Sequence, residues 1–253
     1  MISYIGGKSK IGKWIVPFYD KNTEVYLETF GGMFWCFYNM DLKQFPNLKK
    51  VVYNDFNPLN HNLFKCVQNP TELLRAINSI DCQKQGVDLT PEIYREQFIS
   101  FQAELFNENF SLEPGNYEAA AKYVYILTQV FSGSKPDWID HFLKITDVEN
   151  MDFADVITKY DSPSTYIYLD PPYWKTENYY SNHDFDRQDH ERLANVLHNV
   201  KGKFSLSYYD FDLLKEWFPE DQYTWVKKEF AKAAAAKKGT KQNMGEELLI
   251  MNY

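Results

Sequence analysis

Thr165-Tyr-Ile-Tyr-Leu169 leads directly into Asp170-Pro171-Pro172-Tyr173. The first five residues are strand formers with no charge among them, and they read as the most apolar strand of the chain. In an open α/β sheet, ligands bind outside the carboxyl ends of the strands. Proline fixes φ and has no N–H, so the carbonyls of the paired prolines are free acceptors. Asp170 and a neighbouring carbonyl can each accept one N–H of an exocyclic amine, which aims the nitrogen lone pair. Tyr173 offers a face for the attached ring. A plain turn after a strand is the competing reading of the tetrad taken alone.

Further strands read outward from this one. Val25–Phe30 ends at Gly31-Gly32, and Lys50–Asp55 ends on an acid. A weaker run follows at Ile145–Asp152, then Lys203–Tyr208, Tyr223–Phe230 and Glu247–Tyr253. Helical periods lie between them: Met33–Met40, a start at Asn69-Pro70 with Glu72 reaching back, residues 92–110, 119–130 and 186–200. Strands alternating with helices predict a mostly parallel, Rossmann-like α/β sheet. The last two strands are joined by a polar loop without a helical pattern, so they read as an antiparallel pair. Residues 61–144 read as a helical insert in a catalytic domain made of 1–60 and 145–253.

The chain has 253 residues and a net charge of −8. No run of about 18 apolar residues exists to span a membrane. Met1–Lys8 lacks the apolar core of a signal peptide. Cys36, Cys66 and Cys82 share no metal-ligand spacing, which fits reduced thiols in a cytoplasm and no metal site. The acidic balance argues against a protein coated in nucleic acid, but the charge is uneven. Lys8, Lys10, Lys13 and Lys21 face only Asp20 in the first 21 residues. Lys227, Lys228, Lys232, Lys237, Lys238 and Lys241 face only Glu229. Residues 71–150 are strongly acidic. A polyanion is therefore expected at the two ends of the chain, with solvated lysine faces as the alternative.

Glu28-Thr29-Phe30-Gly31-Gly32 is a second strand-to-turn motif, where glycine lets a ligand approach the backbone. Asp55 ends the next strand, at the distance where an acid takes ribose hydroxyls. Gly6-Gly7-Lys8-Ser9 resembles a phosphate loop only superficially. It lacks the earlier glycine and has no strand leading in.

Together, Tyr4-Ile-Gly-Gly-Lys8, the glycine motif, the insert and Asp170-Pro-Pro-Tyr173 resemble the Dam-like adenine-N6 DNA methyltransferases. The resemblance runs from about residue 2 to the end, including Phe204–Asp210 and Glu247–Tyr253. It implies S-adenosyl-methionine as donor and double-stranded DNA as partner. It implies Tyr4, Lys8, Glu28, Phe30, Gly31 and Gly32 at the donor, with Lys8 near its carboxylate. It likewise implies Asp55 on the ribose, Phe56 and Phe153 against the adenine ring, and Asp170, Pro171, Pro172 and Tyr173 on the target base. The insert, through Ser132, Ser134 and Lys135, is the candidate for sequence recognition, and Lys227, Lys228, Lys237, Lys238 and Lys241 for phosphates. Two positions depart from the family: Thr29 replaces a proline, and Phe34-Trp35 stand where a third glycine is usual.

The expected mechanism is direct methyl transfer to a base extruded from the duplex, with no covalent enzyme intermediate. An N4-cytosine methyltransferase and a non-catalytic relative that keeps the fold are the alternatives. Glutamine and RNA methyltransferases more often carry Asn at the Asp170 position. The family also admits a restriction endonuclease partner, and a single-base reaction is compatible with a monomer.

Overall fold

The computed structural model describes residue 8 and residues 11–80, 90–107, 109–129, 145–174, 185–231 and 244–253. The expected strands form one seven-stranded sheet. They are β1 (Val25–Glu28), β2 (Lys50–Asn54), β3 (Thr146–Glu149), β4 (Thr165–Leu169), β5 (Lys203–Tyr208), β6 (Thr224–Ala231) and β7 (Met244–Met251). Their order is β3-β2-β1-β4-β5-β7-β6. The first five are parallel, while β7 runs antiparallel to both β5 and β6. The strand order reverses between β1 and β4, the place where such sheets bind ligands. The mostly parallel Rossmann-like sheet with an antiparallel C-terminal strand is thus present.

Both faces of the sheet are covered, which is why β4 is buried at all five positions. On one face lie α1 (Gly12–Ile15), α2 (Trp35–Tyr38), α3 (Pro58–Val67), α4 (Pro70–Ile80), α5 (Pro91–Leu105) and α6 (Tyr117–Gln129). Their apolar residues join Tyr26, Tyr53, Tyr166 and Tyr168 of the sheet in one core. The helices assigned to the insert therefore share the core of the sheet. The other face carries α7 (Phe153–Tyr160), α8 (Arg187–Leu197) and α9 (Leu214–Trp217) against Leu27, Val52, Ile167 and Leu169.

Local signals set the helix starts. Asn57 caps α3 through the Leu59 N–H at 2.9 Å, with Pro58 in the first turn. Asp186 and Asp189 form a capping box on α8. The Glu72 carboxylate, expected to reach back to its cap, turns forward to Arg75 at 2.6 Å. The helix expected over Met33–Met40 is cut to α2 because Phe34 stands in the left-handed region, φ 58°.

Candidate active site

The turn after β1 is held by the end of β2. Gly31 N–H donates to the Asn54 carbonyl at 2.7 Å, and Gly32 N–H to Asp55 Oδ2 at 2.7 Å. Asn54 Nδ2 donates to the Thr29 carbonyl at 2.9 Å and the Met151 carbonyl at 3.1 Å, so the ends of three strands are laced together. A Cβ on Gly31 would lie 2.3 Å from the Tyr53 ring. Gly31 is therefore required by packing, whatever it does for a ligand. The left-handed conformation that the family's third glycine would adopt freely is kept here by Phe34. Its ring is fully buried, stacked 4.6 Å from Phe37 and edge-on to Tyr53 and Phe64. Packing overrides a local preference of roughly 1–2 kcal/mol. At the other departure, the Thr29 N–H donates to the Tyr168 carbonyl at 3.1 Å, a bond proline could not make. The Thr29 hydroxyl is buried with no partner among the described residues.

Asp55 carries two backbone N–H groups, Gly32 on Oδ2 and Asn57 on Oδ1 at 2.8 Å. Burial raises its pKa, and these hydrogen bonds oppose that rise. Phe56, next along, is exposed, and Asn150 Nδ2 fixes its carbonyl at 3.0 Å. Phe30, Phe153 and Phe185 make an aromatic trio with centroids 5.8 Å apart. Arg192 lies over Phe153 at 4.0 Å and grips Asp152 with two bonds of 2.8 Å, which holds the Asp152 carboxyl low.

At the end of β4 four polar groups converge. Lys8 Nζ lies 3.0 Å from Asp170 Oδ1 and 2.9 Å from Glu247 Oε1, and it also donates to the Tyr173 hydroxyl. That hydroxyl is 3.0 Å from Asp170 Oδ1 and 2.6 Å from Glu247 Oε1. Burial disfavours charge on Lys8, but the two carboxylates outweigh it and keep the ammonium charged. Burial raises Asp170, Lys8 lowers it and Glu247 raises it again, leaving it at about 6. Burial and the two carboxylates push Tyr173 well above its ordinary value, so it remains a neutral phenol. Among the described residues both partners of the Asp170 carboxylate sit on Oδ1. Oδ2 is left to accept an N–H.

A second buried acid ends β1. Glu28 Oε2 accepts from the Tyr26 hydroxyl at 2.7 Å and the Phe37 N–H at 3.3 Å. Burial raises it far above the usual carboxylate range, with Asp170 and Asp55 adding to the rise. It lies 3% exposed behind the glycine turn.

The chain matches the family model described as "D12 class N6 adenine-specific DNA methyltransferase" over residues 4–134 and 106–232. The chain belongs to that family. A D12 methyltransferase carries a methyl-donor cofactor, and the fold and family together make this protein a DNA methyltransferase. It is 21% identical over 269 residues to the Type II methyltransferase M.CviBI of Paramecium bursaria Chlorella virus NC1A, covering all of this chain and 99% of that one. Among solved structures it resembles the precorrin-8w decarboxylase of Methanobacterium thermoautotrophicum, at 10% identity and TM-score 0.35 over 91% of this chain and 82% of that one. It also resembles the ribosomal RNA methyltransferase AviRa of Streptomyces viridochromogenes, at 13% and 0.34 over 90% and 76%. These two structural likenesses are too distant to bear on function.

In this D12 chain the sheet edge brings Lys8, Asp170 and Tyr173 together, and sets Phe30, Gly31, Gly32, Asp55, Phe56 and Phe153 around the neighbouring strand ends. Lys8, implied near a donor carboxylate, has its ammonium between two carboxylates of the chain itself. Of the implied phosphate contacts, Lys227 lies 3.3 Å from Glu246 and 3.8 Å from Asp210. Lys228 is exposed, opposite Glu247 in the β6–β7 ladder. Tyr4, Ser132, Ser134, Lys135, Lys237, Lys238 and Lys241 lie outside the described residues. The sequence alone assigns Glu247 no role. Its signal was a carboxylate in strand period with Leu249 and Met251, a position that burial forces to find a partner.

Proposed function

We propose that this DNA methyltransferase moves the methyl group of S-adenosyl-methionine to N6 of adenine in double-stranded DNA. The observation that carries the reading is Asp170: a half-buried carboxylate at the switch point, anchored through Oδ1, with Oδ2 open to an exocyclic N–H among the described residues. The residues present fit such a donor. A glycine turn tied to Asp55 and an exposed Phe56 suit a ribose and a purine, with Phe30 and Phe153 beside them. Glu28 serves this turn from behind, through the Phe37 N–H.

When bound, the donor supplies a methyl group on a sulfonium, which takes back the bonding pair as it leaves. The chain has to place the amine and take its charge. Asp170 accepts one N–H, aims the lone pair at the methyl carbon, and receives the proton that nitrogen sheds once the C–N bond forms. Orientation of this kind contributes on the order of 7–11 kcal/mol in favourable cases. The base leaves the stack at a cost of a few kcal/mol. Tyr173 flanks it, its ring 4.2 Å from Tyr209. Residues 61–144, with Ser132, Ser134 and Lys135, recognise the sequence, and Lys227, Lys228, Lys237, Lys238 and Lys241 meet phosphates. Transfer of labelled methyl to unmethylated duplex DNA, followed by nucleoside separation, tests the reading. N6-methyladenine is expected. N4-methylcytosine would overturn the choice of base, and no transfer with donor bound would overturn DNA as the substrate.

A further inference from the structure

Glu247 is 1% exposed inside the site. Register puts it there. Leu249 pairs with Ser207 across β5, and Ser205 pairs with Tyr168 across β4. Period two then sets Glu247 on the sheet face that carries Tyr168. A buried carboxylate must find a cation or donors. Lys8 and Tyr173 supply them at 2.9 and 2.6 Å, both on Oε1. The same two groups lie on Asp170, each at 3.0 Å. Two carboxylates therefore compete for one ammonium and one hydroxyl hydrogen. A phenol has a single hydrogen to give, and the shorter contact takes it to Glu247.

We propose that Glu247 is a positioning residue for methyl transfer: by taking the Tyr173 hydrogen and sharing Lys8, it keeps Asp170 from being consumed by its own neighbours, so that Asp170 meets the amine as a strong acceptor. This rests on the methyltransferase reading of Asp170. Glu247 acts through Lys8 and Tyr173. Without its charge, Lys8 falls wholly on Asp170 and the Tyr173 hydroxyl turns to the same oxygen. Both changes make Asp170 a weaker base. Among the described residues, the other titratable groups that act on Asp170 are Glu28 from β1, Cys36 from α2, Tyr168 from β4 and Tyr209 after β5, and the substitution leaves them in place.

The test follows the Asp170 carboxyl by carbon NMR in the full chain with 13C-labelled aspartate, assigned with Asp170→Asn. Glu247→Gln should lower the Asp170 midpoint from about 6 by about one pH unit, because Glu247 raises it and Lys8 lowers it. Lys8→Met should raise it. In methylation assays Glu247→Gln should lower kcat about tenfold, with both KM values held within about threefold, and move the acid limb down with the carboxyl. Glu247→Asp, which keeps the charge, should recover part of the loss. An unmoved Asp170 midpoint in folded Glu247→Gln overturns the proposal. Should that variant not fold, a midpoint that fails to rise in Lys8→Met overturns it instead. The carboxyl titration needs no turnover. A wild-type chain that methylates no DNA would remove the functional reading while leaving the network result standing.

Discussion

Glu28 and Asp170 end adjacent parallel strands, Glu28 buried and Asp170 half-buried, and the fold treats them oppositely. Glu28 receives two neutral donors, from Tyr26 and Phe37. They favour the ionised form but do not offset burial, and the acid is held neutral well above the usual range. Asp170 receives an ammonium, and its rise stops at about 6. One strand end thus holds a structural acid that orders a turn. The next holds an anion at neutral pH, which the proposed transfer needs as its base. Carboxylates pushed apart by their surroundings divide the roles of a site in this way.

Asp170→Asn breaks the comparison hardest. Its amide cannot take the proton, so methyl transfer should fall by about 10²–10⁴-fold while donor binding holds within a few-fold. Glu28→Gln should keep transfer within about threefold, because a neutral amide replaces a neutral acid; single-turnover rates of the two variants decide. A Glu28→Gln loss as large as that at Asp170 would end the distinction.

Gly31→Ala is next. Its Cβ would meet the Tyr53 ring at 2.3 Å. Overpacking of this kind costs roughly 1–3 kcal/mol. Denaturant unfolding should show the loss, and donor binding by calorimetry should weaken with it, because the ring cannot retreat from the turn. Tyr53→Phe, which loses the bond to the Gly32 carbonyl at 2.9 Å, should cost about 1 kcal/mol.

The two acids also give pH signatures of the same sign in different windows. Each has a folded pKa above its unfolded one, so each contributes stability at low pH that is lost as pH rises through the folded value. For Asp170 the window runs from 3.8 to about 6. For Glu28 it begins at 4.5 and extends higher. Glu28→Gln should remove the loss of stability above pH 6, read as Tm against pH, and Asp170→Asn should not. The smallest expected effect is Thr29→Val. It removes a buried hydroxyl with no partner among the described residues, keeps the N–H bond to Tyr168, and should raise stability by about 1 kcal/mol.

The strands were legible because apolar runs such as Thr165–Leu169 end in Gly or Asp, the punctuation a parallel sheet requires. Helix α3 was not, because Asn60, His61 and Asn62 are buried in it and interrupt the apolar period. Asn62 ties the N–H groups of Gly115 and Asn116 at 2.8 and 2.9 Å, a contact that pays no regard to sequence distance. The short α7 spans only eight residues, too few to set a clear period, although Phe153, Val156 and Ile157 mark its buried face. The Asp-Pro-Pro-Tyr motif could be read as a candidate site from chemistry alone. The surroundings of Asp170 could not, since Lys8 and Glu247 stand at opposite ends of the chain and only the sheet brings them together. The cut in α2 was hidden because Phe34 occupies a conformation that local preference assigns to glycine.

The most direct test of an ionised Asp170 as the acceptor is the pH dependence of single-turnover methyl transfer, with donor and DNA both saturating. The account predicts a rate that climbs about tenfold per pH unit below a midpoint near 6 and levels above it. A rate that is flat from pH 5 to 8, or a midpoint that survives in Asp170→Asn, would contradict it.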